Sequence, residues 1–538
     1  MNALHTSRRA AMTGVLTLAM TAAIGVATSD AQYTGLLENW TEPATLGPKT
    51  TCSSLRSLTT YDFGIDTATL VRAEGDRPEF CHVQGQIQPE IRFEVSLPTA
   101  WNGRFYMFGN GGFAGESFTA PGRLYRRDNG VKHGFAVAAT NTGHDAVREP
   151  GASFAQNPQK LIDFAYRSVH MTATTAKSIM RAYYETPPTR SYFEGCSEGG
   201  RQGMTLAQRF PDDFDGLALG SGVINFVGNY VDGRKRALAM EKVSLDNIRV
   251  VADVLYAQCD AKDGLADGLI DDPRVCGFNP VRDVPRCKPG EGGANAKCLT
   301  LERAEAFQTI YTGLEINGTE WYPGLPPAAE VFAPTSDGKT RSGWDPWQIS
   351  GTDPLQSNKR MWGESFFKYM ATPGSEIDYK SFDPTRDIAK LEPLARLMNA
   401  LDPDLTRFKA RGGKILQSWG FAEPALNPLM GINYYDSVKG KMGPSTTDFY
   451  RMFMIPGGFH CGGGVGITDI DTLTPLVNWV EHGLAPDRIV GERRLNGKTL
   501  RTRPICPYPQ MEKYNGTGSI DEAANFVCAV PTNATRTN

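Results

Sequence analysis

The segment Gly195-Cys196-Ser197-Glu198-Gly199 constrains the fold of this chain more than any other. It matches G-x-S-x-G, the pattern of a tight turn that joins a strand to a helix and holds a serine hydroxyl clear of the sheet. An ordinary glycine turn is the alternative, because the pattern also arises by chance. The residues before the turn (SYFEG) favour a strand and those after it (RQGMTLAQRF) favour a helix. We therefore predict that Ser197 is a nucleophile.

Strand and helix patterns alternate on both sides of this turn. Short apolar runs at residues 134–140 and 215–220 predict buried strands, and residues 161–184 have helical periodicity. The alternation returns at residues 413–418 and 449–455, before a helix predicted over 471–481. Together with the turn, this alternation predicts a mostly parallel sheet of the α/β class, an α/β-hydrolase core.

Residues 225–400 interrupt this alternation. They contain many prolines and glycines, four cysteines and scattered aromatic residues, so we predict a loop-rich segment. The simplest domain organisation is a catalytic domain formed by residues 32–224 and 401–538, with a large lid domain inserted at 225–400. Residues 1–31 are predicted to be a signal peptide.

The predicted signal peptide rests on its charge pattern. Arg8 and Arg9 precede an uncharged stretch, and Ser29, Asp30 and Ala31 provide small residues for cleavage. A membrane anchor is the alternative, but Thr, Gly and Ala dilute the stretch and no later apolar run has spanning length. We expect a secreted or periplasmic protein without a membrane partner. The net charge of −3 gives no basic surface for nucleic acid.

The order of catalytic groups in this fold is Ser, acid, His, which leaves two histidines after Ser197. His482 ends a predicted helix just before Gly483, where a solvated histidine is favourable. His460 follows a predicted strand in the loop PGGFHCGGG, so we predict that it is the general base. The acid is predicted to be Glu423, which follows the strand KILQSWG. Less favoured candidates are Asp402, Asp404 and Asp436.

Two backbone N–H groups are expected to bind the oxyanion that forms in acyl transfer. One belongs to the residue after the nucleophile, Glu198. The other is expected from the glycine-rich segment GNGGFAG (109–115), at Gly111 or Gly112. A plain glycine turn is the alternative for this segment.

The ten cysteines include no CxxC pair, which argues against a structural zinc site and favours five disulfides behind an export signal. Cys196 precedes Ser197 and Cys461 follows His460. If the serine and histidine meet, their neighbours are close enough for a disulfide to be plausible.

The segment CDAKDGLADGLIDDPRVC (259–276) places several aspartates and glycines between two cysteines. Hard oxygen ligands in a turn-rich loop suit calcium, although the spacing is not that of an EF-hand. A solvated acidic loop is the alternative. A Cys259–Cys276 disulfide would close this loop.

Many motifs of the chain are similar to those of the tannase/feruloyl esterase family, which includes mono(2-hydroxyethyl) terephthalate hydrolases. The resemblance extends along nearly the whole chain after the predicted signal peptide. Its motifs include WNGRFYMFGNGGFAG, NTGHD, YRSVHMTATTAK, YFEGCSEGGRQGM, RFPDDFDGLALGSG, FKARGGKIL, PGGFHCGGG and RTRPICPYPQMEKYNGTGSIDEAANFVC.

This resemblance implies an α/β-hydrolase core with a lid, a Cys196–Cys461 disulfide beside the triad, and a structural calcium ion in the lid. The implied calcium ligands are Asp260, Asp263 and Asp267 with the backbone carbonyls of Leu265 and Leu269. The other implied disulfides are Cys52–Cys81, Cys259–Cys276, Cys287–Cys298 and Cys506–Cys528.

One position departs from the family pattern. The family usually reads HGWADP around its catalytic aspartate, whereas this chain reads SWGFAEP. Glu423 occupies the aspartate position, so either the glutamate serves as the acid or activity is reduced.

The resemblance implies a serine esterase that cleaves small aromatic esters through an acyl-enzyme. Gallate, ferulate and terephthalate esters all have an aromatic acyl group, and the sequence does not rank them. A serine peptidase with the same triad and a weakly active surface-binding protein are the alternatives. Lid side chains expected to bind the acyl group are the aromatic residues Trp344, Trp347, Trp362, Phe366 and Phe367, with Arg341 or Arg360 for a carboxylate.

Overall fold

A nine-stranded sheet organises the computed structural model, which describes residues 40, 42–293, 296–335, 338–350, 357–371 and 377–531. Its strands are β1 (Phe63–Val71), β2 (Phe80–Ile87), β3 (Ile91–Pro98), β4 (Arg104–Phe108), β5 (Ala136–Thr140), β6 (Arg190–Cys196), β7 (Gly216–Gly220), β8 (Lys414–Gly420) and β9 (Tyr450–Ile455). The spatial order is β1-β2-β3-β5-β4-β6-β7-β8-β9. The predicted signal peptide, residues 1–31, lies outside the described residues.

The sheet is antiparallel from β1 to β5 and parallel from β5 to β9. Every residue of β4, β5 and β7 is buried, as expected for parallel strands covered on both faces. The helices of ten or more residues are Pro121–Lys132, Ser168–Tyr184, Glu198–Arg209, Phe226–Met240, Leu245–Cys259, Leu301–Tyr311, Asn358–Tyr369, Pro428–Met442 and Leu473–His482. This architecture confirms the predicted α/β class.

Shorter elements connect and extend this framework. Short α-helices span Pro158–Ile162, Pro280–Asp283, Pro384–Asp387, Glu392–Met398 and Thr406–Ala410, and a π-helical turn spans Asp163–Arg167. Four antiparallel hairpins pair Leu314–Ile316 with Thr319–Tyr322, Phe332–Pro334 with Thr340–Ser342, Ile489–Leu495 with Lys498–Ile505, and Met511–Tyr514 with Phe526–Ala529. In the described part of the chain, no helix is both long and apolar enough to cross a bilayer.

The prediction that residues 225–400 are loop-rich is correct only in part, since the described residues of 260–300 are mostly turns and loops but other parts of the segment are helical. The segment begins with two helices of 15 residues each, Phe226–Met240 and Leu245–Cys259. Gly228 and Gly233 lower the helix propensity of the first, but most of its residues are buried, and packing outweighs that preference. Ser244 caps the second helix through a capping box. The inserted segment lies between β7 and β8, and its domain boundaries stay a prediction.

Five disulfides connect all the cysteines. They are Cys52–Cys81, Cys196–Cys461, Cys259–Cys276, Cys287–Cys298 and Cys506–Cys528, the pairings that the family resemblance implies. Four of them close short segments of chain. Cys196–Cys461 instead joins residues 265 positions apart, on either side of the inserted segment.

Candidate active site

Ser197 occupies the turn between β6 and the Glu198–Arg209 helix. Its φ of 61° and ψ of −120° lie in a region that L-residues rarely adopt. Two backbone hydrogen bonds hold it there: its N–H donates to Gly220 at 3.0 Å, and the Val223 N–H donates to its carbonyl at 3.1 Å. Such strain persists where the surrounding structure over-determines it. The sequence thus folds locally as the predicted strand–turn–helix.

The glycines around Ser197 are required by close backbone packing. A Cβ at Gly195 would lie 2.5 Å from the carbonyl carbon and oxygen of Gly199. A Cβ at Gly200 would lie 2.7 Å from the carbonyl oxygen of Gly220. Larger residues at these positions would push the helix away from the sheet and move the serine.

His460 contacts the predicted acid directly. Its Nδ1 lies 2.9 Å from Oε2 of Glu423, and both side chains are buried. An ionised carboxylate only accepts hydrogen bonds, so Nδ1 carries the proton and Nε2 is left as a proton acceptor. This tautomer is the one that a general base needs.

The second oxygen of Glu423 also has partners. Oε1 accepts hydrogen bonds from the backbone N–H groups of Ala425 at 2.8 Å and Leu426 at 3.1 Å. These bonds fix the carboxylate and compensate for its removal from water. The longer glutamate side chain therefore reaches the imidazole and is held there.

The disulfide between Cys196 and Cys461 connects the loop of Ser197 to the loop of His460. Their Cα atoms are 5.9 Å apart, and Sγ of Cys461 lies 3.6 Å from Nε2 of His460. Ser197 and His460 line the same cavity. Ser197 Oγ and His460 Nε2, both on described side chains, form no hydrogen bond with each other. Hydrogen bonds between catalytic groups are often long before substrate binds.

The two candidate glycines for the oxyanion site differ in their contacts. The N–H of Gly111 donates to Oε1 of Glu116 at 2.7 Å, whereas Gly112 lines the cavity with Ser197. The N–H of Glu198 opens its helix and has no acceptor within it. The Glu198 side chain is buried against Arg201, whose Nε donates to Oε2 at 2.9 Å, and burial raises the pKa of this carboxyl.

A cavity lined mostly by apolar surface lies next to Ser197, as is usual for small-molecule sites. Trp347 packs edge-on against His460 with ring centroids 4.4 Å apart, and Trp362 lies 5.5 Å from Trp347. The described lining residues are Gly112, Ser197, Val223, Asn229, Tyr230, Gly233, Trp347, Lys359, Trp362, Ala425, Leu426 and His460.

The lid residues proposed from sequence divide into two groups. Trp347 and Trp362 line the cavity, whereas Trp344, Phe366 and Phe367 are fully buried outside its lining. Neither candidate arginine lines it, and Arg360 pairs with Glu241 and Glu364 instead. The sequence reasoning missed the lining residues Asn229, Tyr230 and Lys359, because no motif marks them.

The aspartate loop (259–276) offers several carboxylates, some of which already have partners. Asp260 accepts backbone hydrogen bonds from Asp267 and Gly268, and Asp267 pairs with Arg503. In the described chain, no three His, Cys, Asp or Glu residues form a ready metal-binding group. Burial, together with repulsion from Asp267 and Asp260, raises the pKa of Asp263 to about 6. Carboxylate and backbone carbonyl oxygens are the hard donors that calcium prefers. A bound cation would also relieve the repulsion among these carboxylates.

Comparisons with known proteins agree on one family. Residues 72–529 match the family model described as tannase and feruloyl esterase. The chain is 32% identical to mono(2-hydroxyethyl) terephthalate hydrolase from Piscinibacter sakaiensis, over 87% of each protein. It is 31% identical to a probable feruloyl esterase B-2 from Aspergillus terreus, over 82% of this chain and 84% of the relative.

A solved structure is similar along almost the same length. The crystal structure of feruloyl esterase B from Aspergillus oryzae superposes with a TM-score of 0.76 at 25% identity, covering 89% of this chain and 100% of the other. The similarity therefore includes both the sheet and the inserted segment.

Proposed function

Because the chain belongs to the tannase and feruloyl esterase family and is a carboxylic ester hydrolase, we propose that Ser197, His460 and Glu423 are its catalytic triad. The observation that carries this proposal is the 2.9 Å contact between Glu423 Oε2 and His460 Nδ1, in a cavity that Ser197 also lines. Glu423, which stands where the family usually has an aspartate, then functions as the triad acid. A peptidase or a non-catalytic binding protein is not favoured, because the family relatives are esterases.

The proposed reaction is a two-step acyl transfer. Nε2 of His460 takes the proton of Ser197 Oγ as this oxygen attacks the ester carbonyl, and Glu423 stabilises the imidazolium that forms. The imidazolium then gives its proton to the leaving alkoxide, which departs as an alcohol. In the second step, water loses a proton to Nε2 and attacks the acyl-enzyme. The imidazolium then returns this proton to Ser197 Oγ as the carboxylic acid is released.

The oxyanion of each tetrahedral intermediate is proposed to accept hydrogen bonds from the backbone N–H groups of Glu198 and Gly112. Gly112 is preferred to Gly111 because Glu116 already accepts the hydrogen bond of the Gly111 N–H. Removing one donor from such a site typically lowers the rate by about 10²–10³-fold.

We propose esters of aromatic acids as substrates. Tyr230, Trp347 and Trp362 line the cavity and provide flat apolar surfaces for a ring. Mono(2-hydroxyethyl) terephthalate and feruloyl esters, which appear in the names of two relatives, are esters of this kind.

One substrate panel tests both the reaction and the substrate class. The purified enzyme is assayed with methyl gallate, methyl ferulate, mono(2-hydroxyethyl) terephthalate, methyl butyrate and a ferulic amide, beside Ser197→Ala. We expect aromatic esters to give the highest kcat/KM, and Ser197→Ala to be inactive. Preference for the amide or for methyl butyrate would contradict the proposal, as would full activity of Ser197→Ala.

The aspartate loop is proposed to bind structural calcium through Asp260, Asp263 and Asp267 with the carbonyls of Leu265 and Leu269. Bound calcium would neutralise the loop and stabilise the lid. We expect calcium to raise Tm and chelator to lower it, and Asp263→Asn to lose most of this response. A Tm that neither treatment changes, with no calcium found by elemental analysis, would contradict the site.

Export to an oxidising compartment is also proposed. Five disulfides support it, because disulfides persist outside the reducing cytosol. Determining the N-terminus of the protein recovered from its source tests cleavage after residue 31, and an intact Met1 on the recovered protein would contradict it.

A further inference from the structure

The loop that carries Glu423 is anchored to the inserted segment on both sides of the glutamate. Ala422, directly before it, packs in an apolar cluster formed mainly by residues of the inserted segment. Asn427, on the other side, donates hydrogen bonds to the carbonyls of Pro323 at 2.6 Å and Gly324 at 3.0 Å. The position of the proposed acid therefore depends on the inserted segment, although Glu423 itself lies outside it.

A third contact reaches the backbone between these two anchors. The side chain of Gln348, which is fully buried in a turn of the inserted segment, donates a hydrogen bond from Nε2 to the carbonyl oxygen of Pro424 at 2.6 Å. A backbone carbonyl only accepts hydrogen bonds, so the nitrogen of the amide must face it. The backbone N–H of Gln348 donates to the carbonyl of Trp344 at 2.7 Å, which fixes the turn from which the side chain reaches.

Consecutive hydrogen bonds connect Gln348 to the imidazole of His460. The carbonyl of Pro424 and the N–H of Ala425 belong to one planar peptide group. This N–H donates to Oε1 of Glu423 at 2.8 Å, and Oε2 of the same carboxylate accepts from Nδ1 of His460 at 2.9 Å. Hydrogen bonds in series polarise one another inside a protein. A donor at the Pro424 carbonyl therefore strengthens the Ala425 N–H as a donor and holds the peptide group in the orientation that the carboxylate needs.

The position of Gln348 separates this effect from substrate binding. Gln348 is not among the described residues that line the catalytic cavity, whereas its neighbour Trp347 lines the cavity and packs against His460. A change confined to the Gln348 side chain should thus leave the walls of the cavity in place. The signature expected of this arrangement is an effect on the chemical step without an effect on substrate affinity.

We propose that Gln348 is a positioning residue for the triad: it holds the Pro424–Ala425 peptide group so that Glu423 keeps its carboxylate against His460. This inference rests on the proposed triad and adds to it a residue of the inserted segment. Gln348 touches neither the substrate nor the reacting atoms, and it acts only through Glu423. The inserted segment then lines the cavity and also supports the acid–base pair.

The first measurement compares kcat and KM of the wild-type enzyme and Gln348→Met for one aromatic ester. Methionine has a similar length and no amide, so it removes the hydrogen bond to Pro424 and little volume. We expect kcat to fall about 5-fold, the usual contribution of one neutral hydrogen bond, and KM to stay within about 2-fold. Gln348→Asn withdraws the same amide by about 1.5 Å and should act in the same direction, which decides the question if Gln348→Met folds poorly. Titration of Ser197 with a fluorophosphonate normalises each kcat to folded enzyme.

A double-mutant cycle then shows whether Gln348 acts through the carboxylate. Glu423→Ala alone should lower kcat by about 10⁴-fold, and adding Gln348→Met to it should cause no further loss. Tyr256→Phe is the matched control, because it removes a side-chain hydrogen bond of 3.0 Å to another backbone carbonyl of the inserted segment, that of Ala328. This control should leave kcat and KM at their wild-type values.

The outcomes distinguish this inference from the proposed function. An unchanged kcat in Gln348→Met and Gln348→Asn would overturn the positioning role, as would a rise in KM at constant kcat. An equal loss of kcat in the Glu423→Ala background, or in Tyr256→Phe, would also overturn it, because the effect would then not pass through the carboxylate. In each of these cases the triad stands if Glu423→Ala is nearly inactive. If Glu423→Ala retains the wild-type kcat, the proposed triad is wrong and the role of Gln348 fails with it.

Discussion

Shortening Glu423 by one methylene tests whether this glutamate is a functional triad acid. In the structure, its Oε2 lies 2.9 Å from Nδ1 of His460, while its Oε1 accepts hydrogen bonds from two backbone N–H groups. Glu423→Asp restores the residue that is usual in the family, so the family pattern alone predicts equal or higher activity. The geometry predicts the opposite, because the surrounding backbone fits the longer side chain.

The magnitude follows from the reach of the side chain. Removing one C–C bond withdraws the carboxylate by about 1.5 Å, which lengthens the contact with Nδ1 beyond hydrogen-bonding distance unless the backbone moves. A hydrogen bond to a charged group contributes about 2 kcal/mol, and this corresponds to about a 30-fold lower kcat/KM at 25 °C. Glu423→Gln should lower it further, by about 10⁴-fold, because an amide can donate to Nδ1 and favour the wrong tautomer.

The assay is kcat/KM for the best aromatic ester of the panel, measured with wild type, Glu423→Asp and Glu423→Gln. Glu315→Asp, on an exposed lid hairpin, is the matched control and should behave as wild type. Thermal unfolding shows whether each variant is folded. A Glu423→Asp enzyme as active as wild type, or more active, would refute the reasoning from side-chain length.

Three further predictions concern stability. Ser197→Gly should raise the free energy of unfolding by about 1 kcal/mol, because glycine adopts the positive φ without strain; Ser197→Ala should not, and equal stability of the two inactive variants would contradict this. Replacing both Cys196 and Cys461 by alanine should lower the free energy of unfolding by about 3 kcal/mol and should also lower kcat/KM. Replacing Cys506 and Cys528 should affect stability alone. An unchanged kcat/KM in the first variant would argue that the disulfide does not align Ser197 with His460. Burial raises the pKa of Glu330 to about 7, so the folded state keeps a proton that the unfolded state releases, and stability should fall as pH rises from about 4.5 to 7. Glu330→Gln should reduce this fall, measured by urea unfolding at pH 5 and pH 8, and an unaltered pH dependence would contradict it.

Local sequence patterns were sufficient to predict the elements that carry the proposed triad. The strand–turn–helix at Ser197 follows from neighbouring residues, and His460 follows from the order of groups in the fold and the small number of histidines. The predicted strands at 134–140 and 449–455 correspond to β5 and β9 within two residues. These features depend on short-range propensity and on the sheet, which the sequence pattern reveals directly.

Features that depend on packing between distant residues could not be predicted from local sequence patterns. Lys359 and Asn229 are 130 residues apart, and their meeting depends on how two helices of the inserted segment pack. The choice between Gly111 and Gly112 needed the Glu116 hydrogen bond, and the role of Glu423 needed its two backbone donors. The helices of residues 225–400 were missed because burial, rather than residue propensity, stabilises them.

The pairing of β7 with β8 affects how the protein is made. These strands are neighbours in the sheet, yet the ribosome synthesises the whole inserted segment between them. During synthesis, Ser197 emerges long before Glu423 and His460. Cys461 is synthesised 265 residues after its disulfide partner Cys196. The nascent chain therefore exposes the edge of β7, and lacks part of the proposed triad, until its last quarter is translated. Early termination or premature pairing of Cys196 with another cysteine would leave this edge open to aggregation, so yield should depend on the disulfide-forming machinery that receives the chain.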